Sequence, residues 1–224
     1  MHIGCIMDGN RRWATAKNLA KHLGHHQGAK TTEDIVELCV KNNIEIVSFW
    51  ALAKKNILER SAQELDYLYS LFEEFLGKIE TSCKKNQICF EFVGDITLLP
   101  ETLQKSLQYL QSKTKDFTKM ILILAIGYGG QDEIVRATKR IIQAGIDPET
   151  LDEKSFLNYL DSGKFPPPDL IIRTGGDVRH SGYFLYQAEY SEYYFTNTLW
   201  PDFEETEFHK ALNSLKNAKR NFGK

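Results

Sequence analysis

The sequence has no apolar run long enough to cross a bilayer, no net positive charge and no paired-cysteine motif. Each absence closes off a class of function. Its 224 residues carry 28 Lys and Arg against 30 Asp and Glu, a formal charge of −2. Nothing draws the chain as a whole to nucleic acid or to an acidic membrane, so any anion site has to be local. The four cysteines, Cys5, Cys39, Cys83 and Cys89, lack C-x-x-C spacing and fall in strand-like or helical stretches. They read as reduced packing residues, neither disulfide-bonded nor metal-ligating. His22, His25 and His26 have no partner cysteine and no H-E-x-x-H spacing, which argues against zinc. Neither G-x-x-x-x-G-K-[ST] nor G-x-G-x-x-G is present, so nucleotide binding is unsupported. Asp8 and two arginines break the first apolar run too early for a signal-peptide core, and a cytoplasmic location is expected. No repeat, low-complexity tract or linker divides residues 1–224, which read as one domain.

What the sequence does contain is an alternation of strand-like and helix-like segments. That pattern implies an α/β fold with a mostly parallel sheet of about six strands flanked by helices. The strands are expected at Ile3 to Met7, Ile44 to Leu52, Ile88 to Val93, Met120 to Ile126, Asp169 to Ile172 and Tyr193 to Thr196. Met120 to Ile126 is wholly apolar, as an interior strand covered on both faces would be. Helices are expected over Ala14 to Leu19, Lys30 to Val40, Glu101 to Phe117, Gln131 to Ala144, Tyr183 to Glu192 and Glu204 to Arg220. A short one should follow a Thr150-x-x-Glu153 cap and run through Leu160. Ala53 to Arg60 reads as a polar loop, and Ser61-x-x-Glu64 as a capping box that opens a long helix to about Lys85. That helix carries Leu65, Leu68, Tyr69, Leu71, Phe72, Phe75, Leu76 and Ile79, more than a single stripe. It is either packed on two sides or lines an apolar cavity.

Two stretches combine strand ends with anion-binding chemistry. After the first strand comes Asp8-Gly9-Asn10-Arg11-Arg12-Trp13, where a carboxylate, a permissive turn and two guanidiniums coincide. A metal-chelated phosphate suits that set, and so does a plain surface turn with an Asp-Arg pair. After the strand at Asp169 comes Arg173-Thr174-Gly175-Gly176-Asp177, then Arg179 and Ser181. In an open parallel sheet both would face the crevice at the carboxyl ends of the strands. Gly127-Tyr128-Gly129-Gly130 is a third candidate; tight turns need glycine anyway.

With MDGNRRW, GHHQG, the loop from Asn56 to Glu64, YGG, RTGG, SEYYF and LWPDF in order, the chain resembles the cis-prenyltransferases, bacterial undecaprenyl diphosphate synthases among them. The resemblance runs from Ile6 to Gly223. It implies repeated condensation of isopentenyl diphosphate onto farnesyl diphosphate with cis stereochemistry, giving undecaprenyl diphosphate, a precursor of the lipid carrier for cell-wall polysaccharides. It also implies magnesium, a homodimer and an apolar tunnel beside the sheet, with peripheral membrane contact for product release. Carried across position by position, Asp8, Asn10 and His25 would be catalytic. Gly9, Asn10, Arg12 and Lys21 would hold the allylic diphosphate, His25 would support its phosphate and Arg60 would lie near the same phosphates, with Arg11, Trp13 and Asn56 also among the substrate-binding residues. Arg173, Arg179 and Ser181 would hold isopentenyl diphosphate, Trp50 would touch substrate at the tunnel mouth, and Asp8 with Glu192 would bind the metal.

The chain departs from the family pattern at several places. Arg11 stands where glycine is usual, Gly127 where Asn is common, and Gln131 where arginine often follows YGG. Lys54-Lys55 replace serine-glutamate before Asn56, Ile57 replaces tryptophan, one extra residue precedes Arg60, and Asp177 replaces glutamate. The loop changes bear on closure and turnover. Two other classes compete. A non-catalytic partner subunit typically loses the aspartate and the diphosphate arginines, which are present here. An aspartyl-phosphate phosphohydrolase using Asp8 wants an acid-base carboxylate two residues on, where Asn10 stands. The all-helical trans-type synthases fit poorly, because the sequence has no adjacent Asp-Asp pair. Product length, and whether Asp8, a water or the departing diphosphate takes the proton, stay open at this level.

Overall fold

A computed structural model describes residues 1–218 and contains a six-stranded sheet in which every pairing is parallel. In chain order the elements are β1 (His2–Ile6), α1 (Asn10–Ala16), α2 (Lys21–Lys41), β2 (Ile46–Ala53), α3 (Lys54–Glu59), α4 (Ala62–Asn86) and β3 (Ile88–Val93). They continue with α5 (Glu101–Thr114), β4 (Met120–Tyr128), α6 (Gly130–Gln143), α7 (Glu153–Phe156), β5 (Leu170–Arg173), β6 (Glu192–Phe195) and α8 (Glu205–Asn217). Across the sheet the strands run β3-β4-β2-β1-β5-β6. The chain winds to one side of β1 through β2, β3 and β4, then crosses to the other side for β5 and β6. This reversal opens a crevice beyond the carboxyl end of β1, where α/β sheets collect ligands.

Apolar side chains on both faces seal the sheet. One face is covered by helices: Ile35 and Leu38 of α2, Phe75 and Ile79 of α4, Leu103 and Leu107 of α5 and Phe208 of α8 join one buried cluster. The other face is covered partly by irregular chain, with Phe165, Tyr183 and Phe184 packed against Tyr128, Ile123 and Ile171. β4 is interior and almost wholly buried, as its unbroken apolar run requires.

Several boundaries differ from the sequence reading, each for a local reason. α2 begins nine residues before Lys30, because Gly24 and Gly28, which look like turn formers, lie inside it. A β-carbon on Gly24 would sit 2.0 Å from the Asn10 carbonyl oxygen, and one on Gly28 would sit 2.3 Å from Asn10 Oδ1. The glycines let α1 lie directly against α2. α1 in turn starts at Asn10, four residues earlier than expected. The segment read as a polar loop at 53–60 contains α3. Asp152, not Thr150, caps the short helix, through a reciprocal pair with Ser155. The stretch from Tyr183 to Glu192 is not an α-helix and holds only a 3-10 turn at Ala188–Tyr190; Ser181, Gly182 and Phe184 have positive φ and fold the chain into turns that bury Tyr183 and Phe184. The expected end of the last helix at Arg220 lies outside the described residues.

The close crossing yields a paired prediction. Gly24→Ala should lower stability by ~1–3 kcal/mol through overpacking. Gly77→Ala, on α4 where an added β-carbon meets nothing within 4 Å, should raise it by ~0.5–1 kcal/mol. Urea midpoints at constant slope read both signs; a neutral Gly24→Ala would mean that α1 does not press on α2.

Candidate active site

The end of β1 and the end of β5 meet through one ion pair. Arg173, 4% exposed, donates from Nε (3.1 Å) and Nη2 (2.6 Å) to the same oxygen of Asp8, Oδ2. Its Nη1 donates to the Arg179 carbonyl (2.5 Å) and to Ser181 Oγ (2.6 Å), and Nη2 reaches Asp177 Oδ2 at 3.4 Å. The guanidinium is therefore saturated. The backbone of Asp8 is pinned as well, its carbonyl accepting from Thr174 Oγ1 (2.7 Å) and from the Trp200 amide (3.0 Å). The Asp8 carboxylate is held in one pose with Oδ1 left over.

Around it lies a cavity of about 500 Å³ lined by Asp8, Gly9, Asn10, Arg11, Arg12 and His25, with Trp50, Asn56, Arg60, Leu68, Arg173 and Ser181. Four guanidiniums face one carboxylate in a chain whose net charge is −2. Arg173 is occupied and Arg12 donates to the Gly175 carbonyl (2.6 Å). Arg11 and Arg60 lean on one shared carboxylate, Glu64, at 3.9 and 3.5 Å. Those long contacts leave most of their donors free for a ligand. His25 stays neutral here: burial, then the charges of Arg60 and Arg11, lower its pKa to about 4. Its Nε2, Asn10 Oδ1 and Trp50 Nε1 are buried without partners. Buried polar atoms are almost always satisfied, so three orphans in one cavity mark where a polar ligand belongs.

The cavity leads into an apolar chamber of about 60 Å³ on the helical face, walled by Leu68, Leu71, Phe72 and Phe75 of α4 with Ala29, Leu124 and Trp200. Met7, Asn10, His25, Ala51 and Leu68 line both spaces. The many-sided apolar helix is thus both packed on the sheet and turned toward a cavity.

Four expected residues lie elsewhere. Trp13 faces outward, donating from Nε1 to Asp202 (2.6 Å) beneath the Lys17 ammonium. Lys21 is exposed at the start of α2 and lines neither space. The Arg179 side chain, 59% exposed, turns to Asp177 at 3.0 and 2.7 Å, and only its carbonyl serves the site. Glu192 pairs with Leu170, which is level with Ile3, at the opposite end of the sheet from Asp8. That offsets the two backbone positions by roughly 16 Å along the strand direction, at about 3.3 Å per residue. Within one chain they do not converge. Trp50 lines the cavity but lies on the sheet face away from the chamber, stacked on Tyr183 at 5.2 Å, so it is not at the chamber's mouth.

The glycine pairs serve close approach, not anion binding. The Gly175 and Gly176 amides donate to the Thr198 and Thr196 carbonyls, and the Gly130 amide donates to Gly182. A β-carbon on Gly175 would meet Arg12 Nη2 at 2.4 Å. Sequence reasoning missed the role of Glu64. Ser61 does cap its amide (3.3 Å), but the Glu64 carboxylate goes to the two arginines. The i,i+4 spacing from Arg60 was the available signal. It also missed Met7 and Ala51, apolar residues that gain their meaning only at the junction.

Among the described residues no three His, Cys, Asp or Glu side chains cluster as metal ligands, and Asp8 is the one carboxylate lining the cavity. That donor set fits magnesium, which commonly takes one or two carboxylates, substrate phosphates and waters and needs no all-protein cage.

Residues 6–223 match the family model described as putative undecaprenyl diphosphate synthase. The chain is 38% identical to a geranylgeranyl-diphosphate-specific tritrans,polycis-undecaprenyl-diphosphate synthase of Thermoplasma volcanium, covering 100% of this chain and 88% of that protein. An isoprenyl transferase of Aquifex aeolicus is also 38% identical, over 100% of this chain and 95% of its own. Among solved structures, lavandulyl diphosphate synthase from Lavandula x intermedia, in complex with dimethylallyl diphosphate, superposes with a TM-score of 0.95. It is 34% identical and covers 100% of this chain and 98% of that one.

The protonation of His25 is directly measurable. Its imidazole, followed by NMR, should titrate near pH 4 in the free protein. Inorganic diphosphate should move that titration upward, since a neighbouring anion favours the imidazolium. The depressed value also costs stability: as pH falls from 6.5 toward 4 the unfolded chain takes up a proton that the folded chain refuses, about 3 kcal/mol at the lower end. A free-protein titration near 6.5 would contradict the buried placement.

Proposed function

The chain belongs to the undecaprenyl diphosphate synthase family and is an isoprenyl transferase, and from that footing we propose that it condenses isopentenyl diphosphate repeatedly onto an allylic diphosphate, forming cis double bonds. We take farnesyl diphosphate as the primer and undecaprenyl diphosphate as the product. One observation carries the reading: a cationic cavity with a single anchored carboxylate opens into an apolar chamber through five shared residues. A prenyl diphosphate has that same division into a charged head and a greasy tail.

In this reading the allylic diphosphate lies against Arg11, Arg12, Arg60, Asn10 and neutral His25, with its tail toward Leu68 and Phe72. The second diphosphate lies on the Trp50, Arg173 and Ser181 side. Breaking the allylic C–O bond sends its electron pair to the diphosphate, and the guanidiniums stabilise that growing charge. The carbon cation left behind abuts Met7, Ala51 and Leu68, apolar walls that keep water from capturing it. The isopentenyl double bond supplies the electrons of the new C–C bond, and a proton leaves that unit. Magnesium, held by Asp8 with substrate phosphates, would neutralise further charge on the leaving group. Asp8 owes its pose to Arg173, which makes Arg173 an organiser of the carboxylate as well as a cation.

Chain growth makes a demand on α4. A cavity of ~150 Å³ holds a benzene ring, or ~25 Å³ per carbon, so a fifteen-carbon tail needs roughly 375 Å³. The chamber holds about 60 Å³, so Phe72 and Phe75 have to yield as the tail enters. Assembly as a homodimer belongs to the same proposal. No helix among the described residues is long and apolar enough to cross a membrane, and peripheral contact during product release is part of the proposal.

Purified protein with magnesium, labelled isopentenyl diphosphate and, separately, dimethylallyl, farnesyl and geranylgeranyl diphosphate should yield polyprenyl products, best from farnesyl. Asp8→Asn should lower turnover by about 10²- to 10³-fold while the fold persists. Better use of another primer would correct the substrate, and no incorporation from any primer would favour a non-catalytic subunit. Light scattering should give a dimer mass; a monomer at working concentration would remove that part.

A further inference from the structure

α3 stands between β2 and α4, contributes Asn56 to the cavity, and leads directly into Arg60, yet none of its own residues is buried. Its ties to the body are few. Ile57 packs partly on the core, and Arg60 touches Glu64 at 3.5 Å. Lys55 pairs only within the helix, with Glu59. At its first residue, Lys54 Nζ donates to Asp132 Oδ1 at 2.5 Å and lies 4.0 Å from Asp95. Asp132 is itself fixed: Oδ2 accepts from Arg136 Nε (2.8 Å), and Arg136 reaches Asp161 (2.5 Å). Asp161 also takes Arg140 (2.7 Å) and the Gly94 amide (3.3 Å). The side chains of Lys54, Asp132, Arg136 and Asp161 are 28%, 20%, 18% and 14% exposed. They form a half-buried network, which is stiffer and less screened than an isolated surface pair.

We propose that Lys54 is a positioning residue that tethers α3 to α6 through Asp132, holding Asn56 and Arg60 over the cavity before any ligand arrives. The inference rests on the diphosphate reading of that cavity and adds to it the means by which its lid-side groups are presented. Lys54 does not line the cavity, so it acts through α3 and not by touching phosphate. A ligand phosphate that takes Arg60 competes with Glu64 for it, leaving the Lys54 end as the fixed point. Ordering α3 in advance spares the ligand that entropy, so the tether should show in affinity more than in the rate of the chemical step. It also accounts for one departure from the family pattern: the lysine in place of serine supplies an anchor of this chain's own.

Hydrogen exchange of the α3 amides and calorimetric titration with inorganic diphosphate, on wild type, Lys54→Ala, Lys54→Arg and Lys54→Ala/Asp132→Asn, test this. Lys54→Ala should speed α3 exchange while the sheet and α6 keep theirs, and should weaken diphosphate binding about three- to tenfold. KM for the diphosphate substrates should rise with kcat nearly unchanged. Lys54→Arg should restore both, and Asp132→Asn should add little once Lys54 is gone. Unchanged α3 exchange, or unchanged affinity, in Lys54→Ala overturns the proposal. If wild type binds no diphosphate, the reading of the cavity fails, and the exchange comparison alone still judges the tether.

Discussion

The site depends on one buried guanidinium. Arg173 ends the short strand beside β1 and spends all its donors within the protein, two of them on one oxygen of Asp8. A buried arginine is tolerable only if it is paired and fully hydrogen-bonded, and the Asp8 carboxylate meets that requirement. The converse also holds. Asp8 lies past the end of its strand, and without Arg173 its carboxylate would have no fixed direction. The Thr174 hydroxyl and the Trp200 amide hold the Asp8 carbonyl, so backbone and side chain are anchored from β5 and from the segment before α8.

Around that fixed point the charges divide by function. Arg173 is structurally committed, whereas Arg11 and Arg60 share a distant carboxylate and keep donors free. Neutral His25 lines the same cavity, its proton expelled by burial and by the same arginines. The cavity is therefore strongly cationic in a chain that is slightly acidic overall. Charge is concentrated where a diphosphate would sit, and the adjoining chamber is lined mainly by apolar and aromatic side chains, with Asn10, His25 and Thr32 at its edge. Trp50 packs on one face of the sheet and Phe72 on the other, and Leu68 lines both the cavity and the chamber. Asp8, beyond the end of β1, lines the cavity, and its neighbour Met7 lines both spaces.

Much of this is legible in the sequence alone. The strand at 88–93 falls where its apolar run predicts, and β4 is interior as an unbroken apolar run demands. Asp8 and Arg173 share a crevice because parallel strands bring their carboxyl ends to one edge. The start of α2 departs from the sequence expectation where glycine has a packing role. Gly24 and Gly28 look like breakers in a linear reading and are contact points in the folded chain. The 183–192 stretch has helix-forming composition, but its turns are set by burial of Tyr183 and Phe184 against the sheet, which no local propensity encodes.

The sequence by itself determined the kind of fold and the kind of site, because hydrophobic period and residue chemistry are local properties that survive without coordinates. Only the tertiary structure decided which charges face the cavity. Trp13, Lys21, Arg179 and Glu192 carry suitable chemistry at suitable motif positions, yet within one chain they point outward or lie at the end of a strand far from Asp8. Direction is set by the register of six strands and by the crossing of α1 on α2, contacts between residues far apart in the chain. Spacing along the chain names candidates; packing across it selects among them.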